Sequence, residues 1–83
     1  MKNENIETDL KRETAKWTKR IEKEIKKAKA KNKKGEALLE NIRAYIDDSK
    51  YFTKKGDPIR AFEAIIWGWS WLEILRELDV LSV

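Results

Sequence analysis

Apolar side chains recur every three or four positions along three segments of the chain, which is the spacing of one face of an α-helix. The first segment has a narrow stripe whose members are Ile6, Leu10, Thr14, Trp17, Ile21, Ile25 and Ala28. Acidic residues are frequent near its start and lysines near its end, as the helix dipole favours. The stripe predicts a first helix over residues 5–31, with Gly35 as a left-handed cap.

A second stripe predicts a helix over residues 36–54, and the residues after it predict a sharp turn. Gly56 can adopt the left-handed conformation that ends a helix. Asp57 precedes a proline and suits an N-cap, and Pro58 suits the first helical position. Because this connection is so short, the flanking helices are expected to run antiparallel.

The third helix, predicted over residues 58–78, is apolar on almost every side. Ile65, Gly68 and Leu72 mark its core face, whereas Ile66, Trp67 and Ile74 lie toward the polar side. One interpretation is that Trp67, Trp69 and Trp71 all pack inside the bundle, with helix 1 covering Trp67. The other is that Ile66, Trp67 and Ile74 form an exposed patch that binds a protein partner or a second copy, since aromatic anchors are common at interfaces. Insertion of this face into a membrane interface is less favoured, because the face lacks flanking lysines.

The three segments together predict one all-α domain over residues 1–83, with a long N-terminal helix packed on an antiparallel helix–turn–helix hairpin. Helix 1 would be about 40 Å long and the hairpin helices about 30 Å. We therefore expect the lysine-rich end of helix 1 to extend past the hairpin. We also expect a dimer to cover the surplus apolar surface of helix 3.

Composition excludes several classes of chemistry, because the chain has no cysteine and no histidine. Disulfides, Cys/His zinc sites and triads that use histidine cannot form. The acidic residues Asp47, Asp48, Asp57 and Glu63 do not read as a catalytic set, because neighbouring helical positions diverge by about 100°. We expect no enzyme activity, no metal and no cofactor.

The polar start of the chain and its short apolar stretches favour a cytoplasmic protein without a membrane segment. Charged residues are 41% of the chain and glutamine is absent, which is typical of proteins from hot environments.

Residues 1–34 carry 13 Lys/Arg against 6 Asp/Glu, so the first part of the chain is strongly basic. Six lysines concentrate this charge: Lys26, Lys27, Lys29, Lys31, Lys33 and Lys34. They could contact the phosphates of RNA or DNA, or they could simply be a solvated helix end. No aromatic stacking platform and no RNA-binding motif accompany them.

The hairpin resembles a known family in three motifs at fixed distances. These are Tyr45-Ile46-Asp47-Asp48-Ser49-Lys50-Tyr51-Phe52, then Gly56-Asp57 with Arg60-Ala61-Phe62-Glu63-Ala64, then Trp67-Gly68-Trp69-Ser70-Trp71-Leu72-Glu73. Over residues 36–77 they are similar to an archaeal family of small helical proteins, domain of unknown function family 357. The resemblance implies a compact helical fold and no particular activity. The hairpin is also similar to a single tetratricopeptide-like unit, although such repeats need about three copies to bury a core.

Two functional hypotheses remain open at this point. The leading one is a non-catalytic protein–protein interaction or scaffold module that uses Ile66, Trp67 and Ile74. The alternative is an accessory nucleic-acid binder that uses the lysine-rich end of helix 1.

Overall fold

The computed structural model describes residues 3–82, most of which lie in three helices. They are α1 (Asn3–Lys27), α2 (Lys33–Lys54) and α3 (Pro58–Glu77). Two strands of two residues, β1 (Lys29–Ala30) and β2 (Leu81–Ser82), form the only sheet within residues 3–82. The predicted all-α arrangement is confirmed, and α3 ends within one residue of its predicted boundary.

The corner between α2 and α3 is built from local hydrogen bonds. Gly56 has a φ of 75°, and its N–H donates to the Thr53 carbonyl at 3.2 Å. The Asp57 N–H donates to the Phe52 carbonyl at 2.9 Å, which completes a Schellman motif. The Asp57 carboxylate in turn accepts from the Arg60 N–H at 3.2 Å and caps α3. One helix therefore ends and the next begins within three residues, and α2 packs on α3 as a hairpin.

The first helix ends at Lys27, so the predicted end at residue 31 is wrong. Lys29 and Ala30 instead pair antiparallel with Ser82 and Leu81. The Lys31 N–H extends this contact by donating to the Val80 carbonyl at 3.0 Å. The strands take these residues out of the helix because their backbone groups find partners in the segment after α3, where Leu81 is buried.

Gly35 is not a left-handed cap of helix 1, contrary to the sequence prediction. It lies in the first turn of α2, where its N–H donates to the Asn32 side chain at 2.8 Å. Asn32 is the N-cap of α2, which therefore begins at Lys33 and not at residue 36. The buried Gly35 instead allows close approach of a neighbouring backbone, because an added Cβ would lie 2.8 Å from the Val80 carbonyl oxygen.

The core lies where the three helices meet, and its fully buried large apolar side chains are Ile21, Ile42, Ile65, Leu72 and Leu75. The predicted stripe of α1 contributes to the core only from its middle onward, since Ile6 is 61% exposed. The part of α1 that extends past the hairpin is thus its N-terminal end. The expectation that the lysine-rich end extends was wrong, because that end turns directly into β1 and α2.

Candidate interaction surfaces

One side of α3 carries large apolar side chains that the bundle leaves exposed. We call it the outer α3 face, and its members are Ile59, Ile66, Trp67, Ile74 and Leu78. Among them are the three residues that the sequence pattern singled out. Ile66 is 39% exposed, Trp67 is 58% exposed and Ile74 is 44% exposed. Helix 1 does not cover Trp67, so the interpretation that packs all three tryptophans of α3 inside the bundle is wrong for Trp67, whereas Trp69 and Trp71 pack against the core.

The opposite side of α3 is also apolar, because it packs into the core. Ile65, Leu72 and Leu75 on that side are fully buried in the core. At 100° per residue, the mean direction of these three side chains lies about half a turn from the mean direction of Ile66 and Ile74. The core thus accounts for one apolar side of α3 and leaves the other outside the core.

The tryptophans of α3 have different surroundings. Trp69 packs on α1, where its Nε1 donates to the Trp17 carbonyl at 3.0 Å. The Trp17 and Trp69 rings also meet edge to face, with centroids 5.5 Å apart. Trp67 instead stacks on Tyr45 of α2 at 6.5 Å with its other side open to solvent. This stacking limits the rotation of Trp67 and presents a flat aromatic surface.

The six lysines of the basic run occupy the junction between α1 and α2 and not one helix. Lys26 and Lys27 are in the last turn of α1, Lys29 is in β1, and the last two lysines begin α2. Lys31 forms an ion pair with Asp79 at 2.6 Å. The basic surface is therefore a corner of the molecule, with part of its charge already balanced.

The acidic residues do not converge. Asp47, Asp48 and Glu63 are exposed, and Asp57 is the N-cap of α3. Across the part of the chain that the structure describes, no three acidic side chains come together as a metal site requires.

Among the same described residues, no helix combines the length and apolar character needed to cross a bilayer.

The Glu13 carboxylate, on α1, has two hydrogen-bonding neighbours that perturb its electrostatics. Lys16 and the Trp17 indole both hydrogen-bond Glu13, and these contacts, the Lys16 one first, lower the pKa of the Glu13 carboxyl. The Trp17 Nε1 donates to Glu13 at 3.2 Å, and Lys16 is 3.0 Å away. Because the group lies on an open helix surface, we assign it to the local positioning of Trp17.

A groove between α1 and α2 is a feature that the sequence pattern did not reveal. This α1–α2 groove has a volume of about 470 Å³ and is lined by Lys11, Thr14, Ala15, Thr18, Lys19, Glu22, Ser49, Lys50, Thr53, Lys54, Pro58 and Ala61. It lies beside the α2–α3 corner, and its α3 floor residue Ala61 belongs to the core side of that helix. The groove and the outer α3 face are therefore separate surfaces.

Comparisons with known proteins agree with this architecture. The family model described as "Protein of unknown function (DUF357)" matches residues 16–81. The crystal structure of a DUF357 protein from Archaeoglobus fulgidus is similar to this chain with a TM-score of 0.84 and 47% identity, covering 93% of this chain and 96% of that one. No curated protein matches the chain. The resemblance drawn from the hairpin motifs is confirmed, and the match extends into α1.

Proposed function

Because the chain belongs to the DUF357 family of proteins of unknown function, we propose its role from its surfaces: it is a non-catalytic interaction module that docks a partner on the outer α3 face. The observation that carries the proposal is the exposure of Ile66, Trp67 and Ile74 on a helix whose other side fills the core. An exposed tryptophan flanked by aliphatic side chains is a candidate binding surface, because aromatic anchors carry much of the binding energy of protein interfaces. Trp67 is the central anchor, since partly exposed tryptophan supplies large contact area at low entropic cost.

The size of the face sets the expected strength of the contact. From Ile59 to Leu78 it is about 28 Å long, and one helix is about 10 Å wide, so its footprint is roughly 300 Å². Stable complexes bury about 800 Å² on each partner, so this face alone supports a weak and reversible contact. We therefore expect dissociation constants in the micromolar range or weaker.

A second copy of the chain is the simplest partner, and the charges near the two ends of α3 support it. Arg60 lies near the start of the face and Glu77 near its end, and both are exposed. If two α3 helices packed antiparallel about the midpoint between Gly68 and Trp69, each Arg60 would face Glu77 of the other copy, and Ile59 would face Leu78. This pairing brings opposite charges together at both ends of the contact.

Sedimentation from about 10 µM to about 1 mM protein tests this proposal, since it spans the expected affinity. We expect the wild-type chain to self-associate and the Trp67→Glu variant to stay monomeric. Ala44→Glu is the matched control, because it adds the same charge at an exposed position of α2 outside the face. A wild-type chain that stays monomeric throughout excludes self-association. Equal recovery of partners by wild type and Trp67→Glu in pull-downs excludes the face as a docking site altogether.

A nucleic-acid role is the second candidate, and one observation favours it. Within the described residues, Lys26, Lys27, Lys33 and Lys34 are exposed and form no ion pair with an acidic side chain. Contacts from these four lysines to phosphates would give a log–log salt dependence of about −3 to −4. Titration of labelled RNA and duplex DNA at low and moderate salt tests this, and no binding at low salt would end the idea.

A further inference from the structure

The floor of the α1–α2 groove presents mainly apolar groups, although several of the residues that form it have polar side chains. The hydroxyls of Thr14 and Thr18 donate to backbone carbonyls one turn earlier, at 2.9 Å and 2.7 Å. Thr53 does the same at 2.9 Å, and Ser49 donates to the Ala61 carbonyl at 2.7 Å. With their hydroxyls engaged in this way, the side chains turn methyl and methylene groups toward the groove. No buried side-chain polar atom of the described residues lacks a partner.

The rim of the groove is positively charged. Its lining has four lysines, Lys11, Lys19, Lys50 and Lys54, against Glu22 as the acid. Glu22 already pairs with Lys50, and Lys11 pairs with Glu7 outside the groove. Lys19 and Lys54 form no ion pair within the part of the chain that the structure describes. An apolar floor under such a rim is complementary to a ligand that is apolar along its length and anionic at one end.

The shape of the groove selects a slender ligand. Its volume of about 470 Å³ lies within the range of small-molecule sites. From Lys11 to Glu22 it extends about 16 Å along α1, which is room for roughly a dozen methylenes. The floor residues Thr14, Ser49 and Ala61 are 4%, 1% and 1% exposed, so they lie at the closed bottom of the groove. A volume of about 470 Å³ over a length of about 16 Å gives a mean cross-section of about 30 Å², which suits one hydrocarbon chain and is well below the roughly 80 Å² of a helix about 10 Å wide.

We propose that the α1–α2 groove binds an anionic amphiphile with a single hydrocarbon chain. The chain lies on the threonine and alanine floor, and its carboxylate or phosphate head lies among the ammonium groups of the rim. The head could come from a fatty carboxylate or from an alkyl phosphate, which share this chemistry. The site is separate from the outer α3 face, so the two proposals stand or fall independently.

Calorimetric titration with dodecanoate and with dodecyl phosphate, each below its micelle concentration, tests the proposal. Affinity is expected to rise about threefold to fourfold per methylene from octanoate to dodecanoate, the gain from burying each CH₂. Acetate and inorganic phosphate, which have the head alone, are expected not to bind. Whichever of dodecanoate and dodecyl phosphate binds more tightly identifies the preferred head group.

Matched variants locate the binding. Ala15→Phe fills the groove and is expected to lower the affinity at least tenfold, whereas Ala44→Phe, at an exposed site on α2, is expected to leave it unchanged. Lys19→Glu is expected to lower it about fivefold at low salt, and Lys23→Glu, on the same helix outside the lining, much less. Circular dichroism of each variant checks that the helices are intact.

Three results would overturn the proposal. One is the absence of binding by both amphiphiles below micelle formation. Another is an affinity that does not change with chain length. The third is a folded Ala15→Phe variant that binds as tightly as Ala44→Phe, because the chain would then lie elsewhere on the molecule.

Discussion

Gly35 and Gly68 are both buried within helices, yet we expect the same substitution by alanine to change the free energy of unfolding in opposite directions. Alanine favours a helix over glycine by about 1 kcal/mol. At Gly35, however, the new Cβ would lie 2.8 Å from the Val80 carbonyl oxygen and 3.2 Å from the Ala30 Cβ. Both neighbours belong to or adjoin the strand ladder, so relief requires a backbone shift that costs about 1–3 kcal/mol. Gly35→Ala should therefore destabilise the chain by about 1 kcal/mol net.

Gly68 offers the matched comparison. A Cβ there would meet the Ile21 Cδ1 and the Tyr45 Cβ, both at 3.4 Å, which is close to ordinary contact. Gly68→Ala should thus keep most of the helical gain and raise the free energy of unfolding by up to about 1 kcal/mol.

Guanidinium denaturation followed by circular dichroism measures both changes in the free energy of unfolding. In thermal denaturation, a change of 1 kcal/mol corresponds to about 4–8 °C in melting temperature. If Gly35→Ala proved as stable as the wild type with an unchanged denaturant slope, the steric role assigned to this glycine would be refuted.

Three further predictions follow from local contacts. Gly56→Ala should lower the free energy of unfolding by about 1 kcal/mol in chemical denaturation, because the residue has a φ of 75° and open space around it. Trp69→Phe should cost about 1–2 kcal/mol by the same measurement, since the indole N–H bond to the Trp17 carbonyl is lost. Because Lys16 and Trp17 lower the pKa of Glu13, this carboxylate should stabilise the fold above its unfolded pKa. That contribution should be lost as the pH falls through the folded pKa, and Glu13→Gln should remove this part of the pH dependence of unfolding.

The hairpin could be predicted because its signals are local. Gly56, Asp57 and Pro58 each favour one backbone state, and together they end one helix and begin the next. The early end of α1 could not be predicted, because Lys29 and Ala30 leave the helix to pair with Leu81 and a residue beyond it, far along the chain. Helical periodicity contains no information about such a partner.

The outer α3 face and the α1–α2 groove differ in the same way, because the first depends on local periodicity and the second on contacts between distant segments. The 3.6-residue period placed Trp67 and Ile74 opposite the core, and their side chains are exposed there. The α1–α2 groove was missed because helical periodicity assigned Thr14 to the packing stripe of the first helix but does not show that Thr14, Thr18 and Ser49 together line a gap between helices. Their apolar character depends on which carbonyl each hydroxyl bonds, and for Ser49 that carbonyl belongs to another helix.

The way α1 is attached has a consequence for local opening. It rests mainly on α3 and touches α2 little, and its attachments include the Trp17–Trp69 contact and the ion pair between Glu24 and Arg76. Hairpin amides should therefore outlast those of α1 in hydrogen exchange, because α1 can lift away while α2 and α3 stay paired. Such an excursion would transiently expose to solvent the part of α3 that α1 covers, including Trp69, on a helix whose outer face is already exposed.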